Sequence, residues 1–126
     1  MTSRQIKIWN RACSERDATP LHDGDKALAS LLQAHGFIMN GGVLHALEVM
    51  TRAQRVASIA GYRYFGLTGA AQVLEQSYAE SDEAEEMANA AYLQEVPDDD
   101  TIVCAFRTKL LAHPDEFSPT PGAPHA

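Results

Sequence analysis

The residues of this sequence that could do chemistry are its histidines and the acids beside them. His22, Asp23 and Asp25 follow one another closely in the segment DATPLHDG and offer one ring nitrogen and two carboxylates. A zinc or calcium site needs more ligands at defined spacing, and the chain contains no HExxH, CxxC or EF-hand pattern. The spacing therefore favours a helix cap beside an exposed imidazole, and we predict no metal and no other cofactor.

The other histidines have no partner for catalysis at a recognisable spacing. His35 is expected at the edge of the core near a helix end, and His45 on the solvent face of its helix. His113 is expected at a helix C-terminus, where positive charge suits the helix dipole. We therefore predict no catalytic residue. The alternative is a small metal- or His-dependent enzyme of unknown reaction, which requires a pocket where His35 or His45 converges with a carboxylate.

Two glycine-containing segments, Asn40-Gly41-Gly42 and GLTG at residues 66–69, raise the question of phosphate binding. A phosphate loop follows a buried strand and commonly carries a Lys. The segment HGFIM before Asn40 is too short for such a strand, and no Lys follows the glycines. We therefore interpret Asn40 as a helix cap and the two glycines as a tight turn, which makes this segment structural.

Negative charge is concentrated in the second half of the chain. The net charge is −7, but residues 1–65 carry 8 Lys and Arg against 5 Asp and Glu, whereas residues 66–126 carry 2 against 12. The segment from Glu75 to Asp100 holds ten carboxylates and no Lys or Arg. Such a surface repels nucleic acid and acidic membranes and attracts basic partners.

Helix capping explains the positions of many of these acids, because carboxylates stabilise the first turn of a helix by about 0.3–1 kcal/mol each. Capping does not explain why cations are missing, since a helix selected for stability usually carries Lys or Arg near its C-terminus. The segment is therefore either a solvated acidic face or a surface that binds a basic protein. For the second case we predict these contact residues: Glu75, Glu80, Asp82, Glu83, Glu85, Glu86, Asp98, Asp99 and Asp100.

The chain is long enough for one domain of modest core. It has no apolar stretch that could span a membrane, and its N-terminus lacks the apolar core of a signal peptide, so we expect a cytoplasmic protein. Cys13 and Cys104 each fall on an apolar helical stripe, which predicts two buried thiols in place of a disulfide.

The elements that must position these residues are helices, and the pattern predicts an all-α, irregular bundle of about six helices in a single domain, residues 1–117. The first helix is expected near residues 4–16, capped by Ser3, with Ile6, Trp9 and Cys13 inward. Its outer face would then be basic, with Arg4, Lys7 and Arg11, and could meet the acidic half of a second copy to form a homodimer.

The remaining boundaries follow from capping and breaking residues. A second helix is expected from Asp23 or Asp25 to Gly36, and a third from Asn40 to about residue 60, with an ion pair between Glu48 and Arg52. An irregular GYRYFGLTG segment would follow. The later helices are expected after Thr68, from Ser81 to about Leu93, and from Thr101 to Ala112, where Pro114 stops the chain. Residues 118–126 are rich in proline and predicted to be a disordered tail.

Three segments resemble the bacterial DNA-mimic protein (DMP) C-terminal-domain family. They are MNGGVLHAL, ASIAGYRYFGLTGAAQVLEQSY and DDDTIVCAFRTKLLAHPDEF, and together they cover roughly residues 25–117. One difference is that the family tends to place aromatic residues after the two glycines, where this chain has Val43, Leu44 and Ala46.

The resemblance implies a small acidic helical protein that acts without chemistry. Its surface carboxylates would stand in for DNA phosphates and occupy the basic site of a DNA-binding protein, and this role falls on the segment from Glu75 to Asp100. An immunity protein that neutralises one cognate toxin uses the same principle. Both are stoichiometric, non-enzymatic inhibitors of a basic protein partner.

Overall fold

The computed structural model describes residues 1–14 and 21–120. Within these ranges the chain forms seven α-helices, one 3-10 turn and no strand. The helices are α1 (Ser3–Cys13), α2 (Asp23–Gly41), α3 (Val43–Val49), α4 (Arg52–Tyr64), α5 (Thr68–Glu75), α6 (Asp82–Glu95) and α7 (Asp99–Ala112), and the 3-10 turn is Pro114–Glu116. The prediction of a single all-α bundle is confirmed, with one helix more than expected.

Helix α2 lies at the centre of the bundle and contacts α1, α3 and α4. Leu28, Leu31 and Ile38 are buried along its inner face at helical spacing, and each such side chain stabilises the fold by about 1.5–3 kcal/mol. Helix α4 approaches α2 closely because Gly61 has no side chain at the crossing. A Cβ atom there would lie 2.6 Å from the carbonyl oxygen of Ala27.

An aromatic cluster joins the ends of the chain to this centre. The rings of Phe65, Phe106 and Phe117 lie 5.8–6.5 Å apart, centroid to centroid. Trp9 of α1 meets Phe106 of α7 edge-on at 5.6 Å. The cluster holds α1, α4, α7 and the segment after the 3-10 turn in one core.

The predicted inner face of α1 is wrong for Ile6 and Cys13, although Trp9 packs against the core as predicted. The buried residues of this helix are Gln5, Ile8 and Arg11, whereas Ile6 and Cys13 are exposed. The helix is turned because Arg11 enters the interior and donates to Asp25 Oδ1 at 2.7 Å. The basic outer face proposed for a homodimer therefore loses Arg11. Cys104 on α7 is exposed as well, so the prediction of two buried thiols is also wrong.

The segment that follows the 3-10 turn is held by the same arginine. Arg11 also donates to the carbonyl oxygens of Ser118 and Pro119, each at 2.9 Å. The Ser118 amide donates to Asp25 Oδ2 at 2.7 Å, and both Ser118 and Thr120 are buried. Residues 118–120 are therefore packed and are not part of a disordered tail. The rest of that predicted tail, residues 121–126, lies outside the described residues.

Two predicted helices have different boundaries in the structure. Helix α2 continues past Gly36 to Gly41, since the burial of Ile38 outweighs the cost of about 1 kcal/mol for one interior glycine. The predicted third helix is interrupted after Val49, because Thr51 and Gln54 form a reciprocal capping box that begins α4. Glu48 and Arg52 consequently lie on different helices and form no ion pair.

The predicted irregular segment GYRYFGLTG is helical as far as Tyr64 and then turns at Gly66, which has a φ of 76°. Helix α1 is capped by Thr2 in place of Ser3, and Thr68 is the first residue of α5 with no side-chain cap bond. No helix in the described part of the chain is long and apolar enough to cross a membrane.

Candidate functional site

The Asn-Gly-Gly segment is the hinge that positions α3. Gly42 has a φ of 94°, in the left-handed region that favours glycine, and a Cβ atom there would meet the Asn89 side chain at 3.0 Å. Asn89 of α6 accepts a hydrogen bond from the Val43 amide at 2.8 Å. Asn40 is exposed inside α2 and is not the cap that we predicted. The oxygen that caps α3 comes from α6.

This hinge sets α3 opposite the start of α6, and an open cleft of about 720 Å³ lies between them. Four carboxylates line it: Glu48 from α3, and Glu80, Asp82 and Glu85 from the start of α6 and the residues just before it. None of the four forms an ion pair with another described residue. The cleft therefore concentrates negative charge that no ion pair neutralises.

The cleft also has apolar and aromatic surface. Leu44, Leu47 and Tyr78 line it beside the carboxylates. The Tyr78 hydroxyl donates to the Val73 carbonyl oxygen at 2.7 Å. Burial raises the pKa of this phenol, while the Arg55 charge acts in the opposite direction. Tyr78 is therefore a neutral, fixed surface for the apolar part of a ligand.

Arg55 is the one guanidinium among the described residues that line the cleft, and its hydrogen bonds are directed elsewhere. Its Nε donates to the Leu74 carbonyl oxygen at 2.9 Å, and a terminal nitrogen donates to that of Gln76 at 3.0 Å. These are carbonyls at the C-terminus of α5, where a cation suits the helix dipole. Arg55 thus holds α5 against α4 and does not pair with the carboxylates.

The start of α6 follows the prediction. Ser81 caps the helix, and its Oγ accepts from the Ala84 amide at 3.1 Å. Asp82, Glu83 and Glu85 lie in the first turn. Only some of these acids face the cleft, because Glu83 and Glu86 are exposed and absent from its lining.

The remaining predicted contact residues have other roles. Glu75 forms an ion pair with Arg63. Asp98 caps α7 by accepting from the Thr101 amide at 3.1 Å, and Asp100 is exposed in the first turn of that helix. The structure therefore places eight of the nine predicted carboxylates in the cleft, on the outer face of α6 and at the start of α7, and the ninth, Glu75, at the end of α5.

Asp99 belongs to a hydrogen-bonded chain at the opposite end of α6. Its Oδ1 lies 2.8 Å from Nε2 of His35, whose Nδ1 lies 2.7 Å from the Tyr92 hydroxyl. The Tyr92 hydroxyl lies 2.6 Å from that of Tyr62. Ten residues, or about 15 Å of helix, separate Asp82 from Tyr92, so this chain and the acidic cleft are distinct places.

The two phenols of this hydrogen-bonded chain, Tyr62 and Tyr92, are fully buried. Burial is the main cause that raises the pKa of each, and the Asp99 charge adds to it at Tyr92. The hydrogen bond between them raises the pKa of Tyr62 and lowers that of Tyr92, as expected when Tyr62 is the donor. Both hydroxyls are therefore protonated donors at neutral pH.

His45 and Glu48 are cleft residues that the sequence did not identify. We had placed His45 on the solvent face, and Glu48 in an ion pair with Arg52; both line the cleft. The Thr51-x-x-Gln54 capping box was a usable signal for Glu48, because it separates the two helices. Asn89 had no local signal, since its role depends on the approach of α3.

No group of three or more His, Cys, Asp or Glu in the described ranges is arranged to hold a metal ion. A smaller groove of about 290 Å³ runs along the Asn-Gly-Gly hinge beside Tyr92 and Leu93.

In comparisons with known proteins, no family model, curated protein or solved structure matches this chain. The resemblance to the DNA-mimic family therefore rests on the three sequence segments alone.

Proposed function

We propose that this protein is a non-enzymatic, stoichiometric inhibitor that receives a basic segment of a partner protein in the cleft between α3 and α6. The observation that carries the proposal is the set of four unpaired carboxylates around apolar surface. We narrow the predicted contact surface to Glu80, Asp82 and Glu85, and add Glu48.

The chemistry of the cleft suits Lys and Arg side chains of a partner. Each has a cationic head for the carboxylates and an aliphatic stem for the surface of Leu44, Leu47 and Tyr78. A concentrated field of one sign accelerates association and sets the orientation of the partner more than it raises affinity. The same field repels nucleic acid, so the partner is a protein.

Two forms of inhibition use this surface. A DNA mimic would occupy the basic site of a DNA-binding protein, and an immunity protein would occupy that of one toxin. Both predict affinity that falls with added salt, because charges at an exposed cleft are screened. The neighbouring reading frame separates them, since a toxin gene favours immunity and a transcription factor gene favours mimicry.

Two matched triple variants test the cleft. The first neutralises cleft residues by Glu48→Gln, Glu80→Gln and Glu85→Gln. The binding of a labelled synthetic arginine-rich peptide is followed by fluorescence anisotropy at increasing salt. We expect affinity to fall roughly tenfold at low salt, which corresponds to a few tenths to one kcal/mol for each exposed charge pair.

The control triple, Glu83→Gln, Glu86→Gln and Asp100→Asn, changes the net charge by the same amount outside the cleft. It also removes one carboxylate from the first turn of α6, as the first triple does, and one from the first turn of α7, so any loss in helix stability is at least as large in the control as in the first triple. The control should bind the peptide nearly as tightly as the unchanged protein. An equal loss of affinity in the two triples would show that binding depends on net charge and would contradict binding in the cleft.

A His-dependent enzyme is the second candidate, because His45 lines the cleft together with Glu48 and Glu85. The variant His45→Gln distinguishes the two. Binding through carboxylates predicts peptide affinity within about twofold of the unchanged protein, since all four cleft carboxylates remain in place. A larger loss would show that recognition depends on His45 itself and would contradict binding through the carboxylates alone.

A further inference from the structure

We infer that the chain Tyr62–Tyr92–His35–Asp99 is an acid-sensitive lock that is complete only while His35 is neutral. It joins four helices, because Tyr62 lies on α4, Tyr92 on α6, His35 on α2 and Asp99 on α7. This inference concerns the opposite end of α6 from the cleft and does not depend on the proposed function.

The positions of the hydrogens follow from the donors and acceptors. The Asp99 carboxylate accepts, so Nε2 of His35 carries a hydrogen and donates to it at 2.8 Å. Nδ1 of a neutral His35 then accepts from the Tyr92 hydroxyl at 2.7 Å, and the Tyr92 oxygen accepts from the Tyr62 hydroxyl at 2.6 Å. Every donor in this arrangement has an acceptor.

Protonation of His35 breaks this order. Nδ1 then carries a hydrogen and must donate to the Tyr92 oxygen, so the Tyr92 hydrogen turns to the Tyr62 oxygen. The Tyr62 hydrogen is left without an acceptor, and neither phenol has another hydrogen-bond partner in the described part of the chain. Tyr62, which carries the stranded hydrogen, is fully buried, so water cannot replace the missing acceptor.

One interaction acts in the opposite direction. A protonated His35 attracts Asp99, but the Asp99 side chain is 82% exposed. An exposed ion pair changes the folding equilibrium constant about fivefold at most. A buried hydroxyl without an acceptor changes it about tenfold or more. The stranded hydrogen therefore dominates.

The titratable groups facing His35 are few. Tyr92 contacts it from α6 and Asp99 from α7, while Tyr62 of α4 acts through Tyr92. Asp98 and Asp100 flank Asp99 in sequence, at the start of α7. Their negative charge adds to the attraction by Asp99, and their exposure keeps that addition small.

The variant His35→Gln tests the lock, because glutamine keeps a donor and an acceptor but does not titrate. The folding equilibrium constant is measured by urea denaturation from about pH 7.5 to about pH 5.5, where histidines titrate. Over this pH range, we expect the folding equilibrium constant of the unchanged protein to fall about two- to tenfold more than that of His35→Gln. The control His113→Gln, at an exposed histidine that pairs with Glu116, should keep the acid-induced loss or slightly increase it, because only a weak exposed pair is removed.

A second measurement uses the unchanged protein alone and holds even if His35→Gln does not fold. Nitrogen NMR of the His35 ring at neutral pH should show hydrogen on Nε2 and none on Nδ1. The inference is overturned if the hydrogen is on Nδ1. It is also overturned if the unchanged protein gains stability relative to His35→Gln as the pH falls, since the ion pair with Asp99 would then dominate.

Discussion

A single side chain from α6 determines where α3 begins. Asn89 accepts from the Val43 amide at the residue after Gly42, where the chain turns with a positive φ. The sequence indicated a turn and a cap at this place and was right about the turn. It assigned the cap to Asn40 because local capping patterns place the oxygen next to the helix in sequence. A cap supplied by another helix leaves no such pattern.

Substitution of the two asparagines separates these assignments. Asn89→Ala should lower the free energy of unfolding by about 1–2 kcal/mol, because the first amide of α3 loses its acceptor. Asn40→Ala, the same change at an exposed position of α2, should lie within about 0.5 kcal/mol of the unchanged protein. Urea denaturation measures both. A larger loss for Asn40→Ala would show that the sequence-based assignment was correct.

At the scale of elements, the sequence correctly predicted the helices in which the apolar spacing and the capping residues indicate the same helix. Helix α7 presents Ile102, Phe106 and Leu110 inward, as its spacing indicates, and α6 begins at the Ser81 cap. The inner face of helix α1 was predicted wrongly in part, because its apolar residues compete with a buried ion pair. Hydrophobic periodicity treats Arg11 as a surface residue, because the sequence pattern does not show that its partner Asp25 is buried.

That ion pair makes α1 sensitive to one substitution. Arg11→Met should lower the free energy of unfolding by about 3–5 kcal/mol, because Asp25 would stay buried without its cationic partner. Arg4→Met, the same change at a half-buried position of α1 whose guanidinium donates to the Pro114 carbonyl oxygen at 3.4 Å, should cost about 1 kcal/mol at most. Thermal and urea denaturation of both variants provide the comparison. Similar losses would mean that the interior position of Arg11 is energetically unimportant.

At the scale of the whole molecule, the cleft combines residues from different parts of the chain. Sequence reasoning identified Glu80, Asp82 and Glu85, since they lie at a helix start that can be recognised locally. It did not identify Glu48, which joins them through the path of α2 and the hinge at Gly42. Acidic composition predicted the type of surface, whereas the division of that charge between the two ends of α6 required the fold.

The buried tyrosines set an upper pH limit on the stability of the whole fold. Burial is the largest cause that raises the pKa of Tyr62, Tyr64 and Tyr92 above the ordinary value of 10.0. At Tyr64 the hydrogen bond to Glu116 and the charges of neighbouring acids add to this effect. A raised folded-state pKa contributes stability that is fully present below the unfolded-state pKa and is lost as the pH rises above it.

We therefore expect stability to be insensitive to these phenols up to about pH 9 and to decline steeply above about pH 10. Stepwise alkaline titration should show tyrosinate absorbance and loss of helical circular dichroism in the same transition. Ionisation of most of the tyrosines near pH 10 with the helices intact would contradict the burial of these hydroxyls.

The contact between Arg11 and Ser118 also has a consequence for the order in which the chain assembles. It closes a loop between residues 107 positions apart, and a loop of that length costs more entropy than the local pairing of neighbouring helices. Arg11 lies only 14 positions from Asp25, so α1 can pair with α2 before the segment at Ser118 closes onto both. On unfolding, we expect the closure at Ser118 to open before the pairing of α1 with α2.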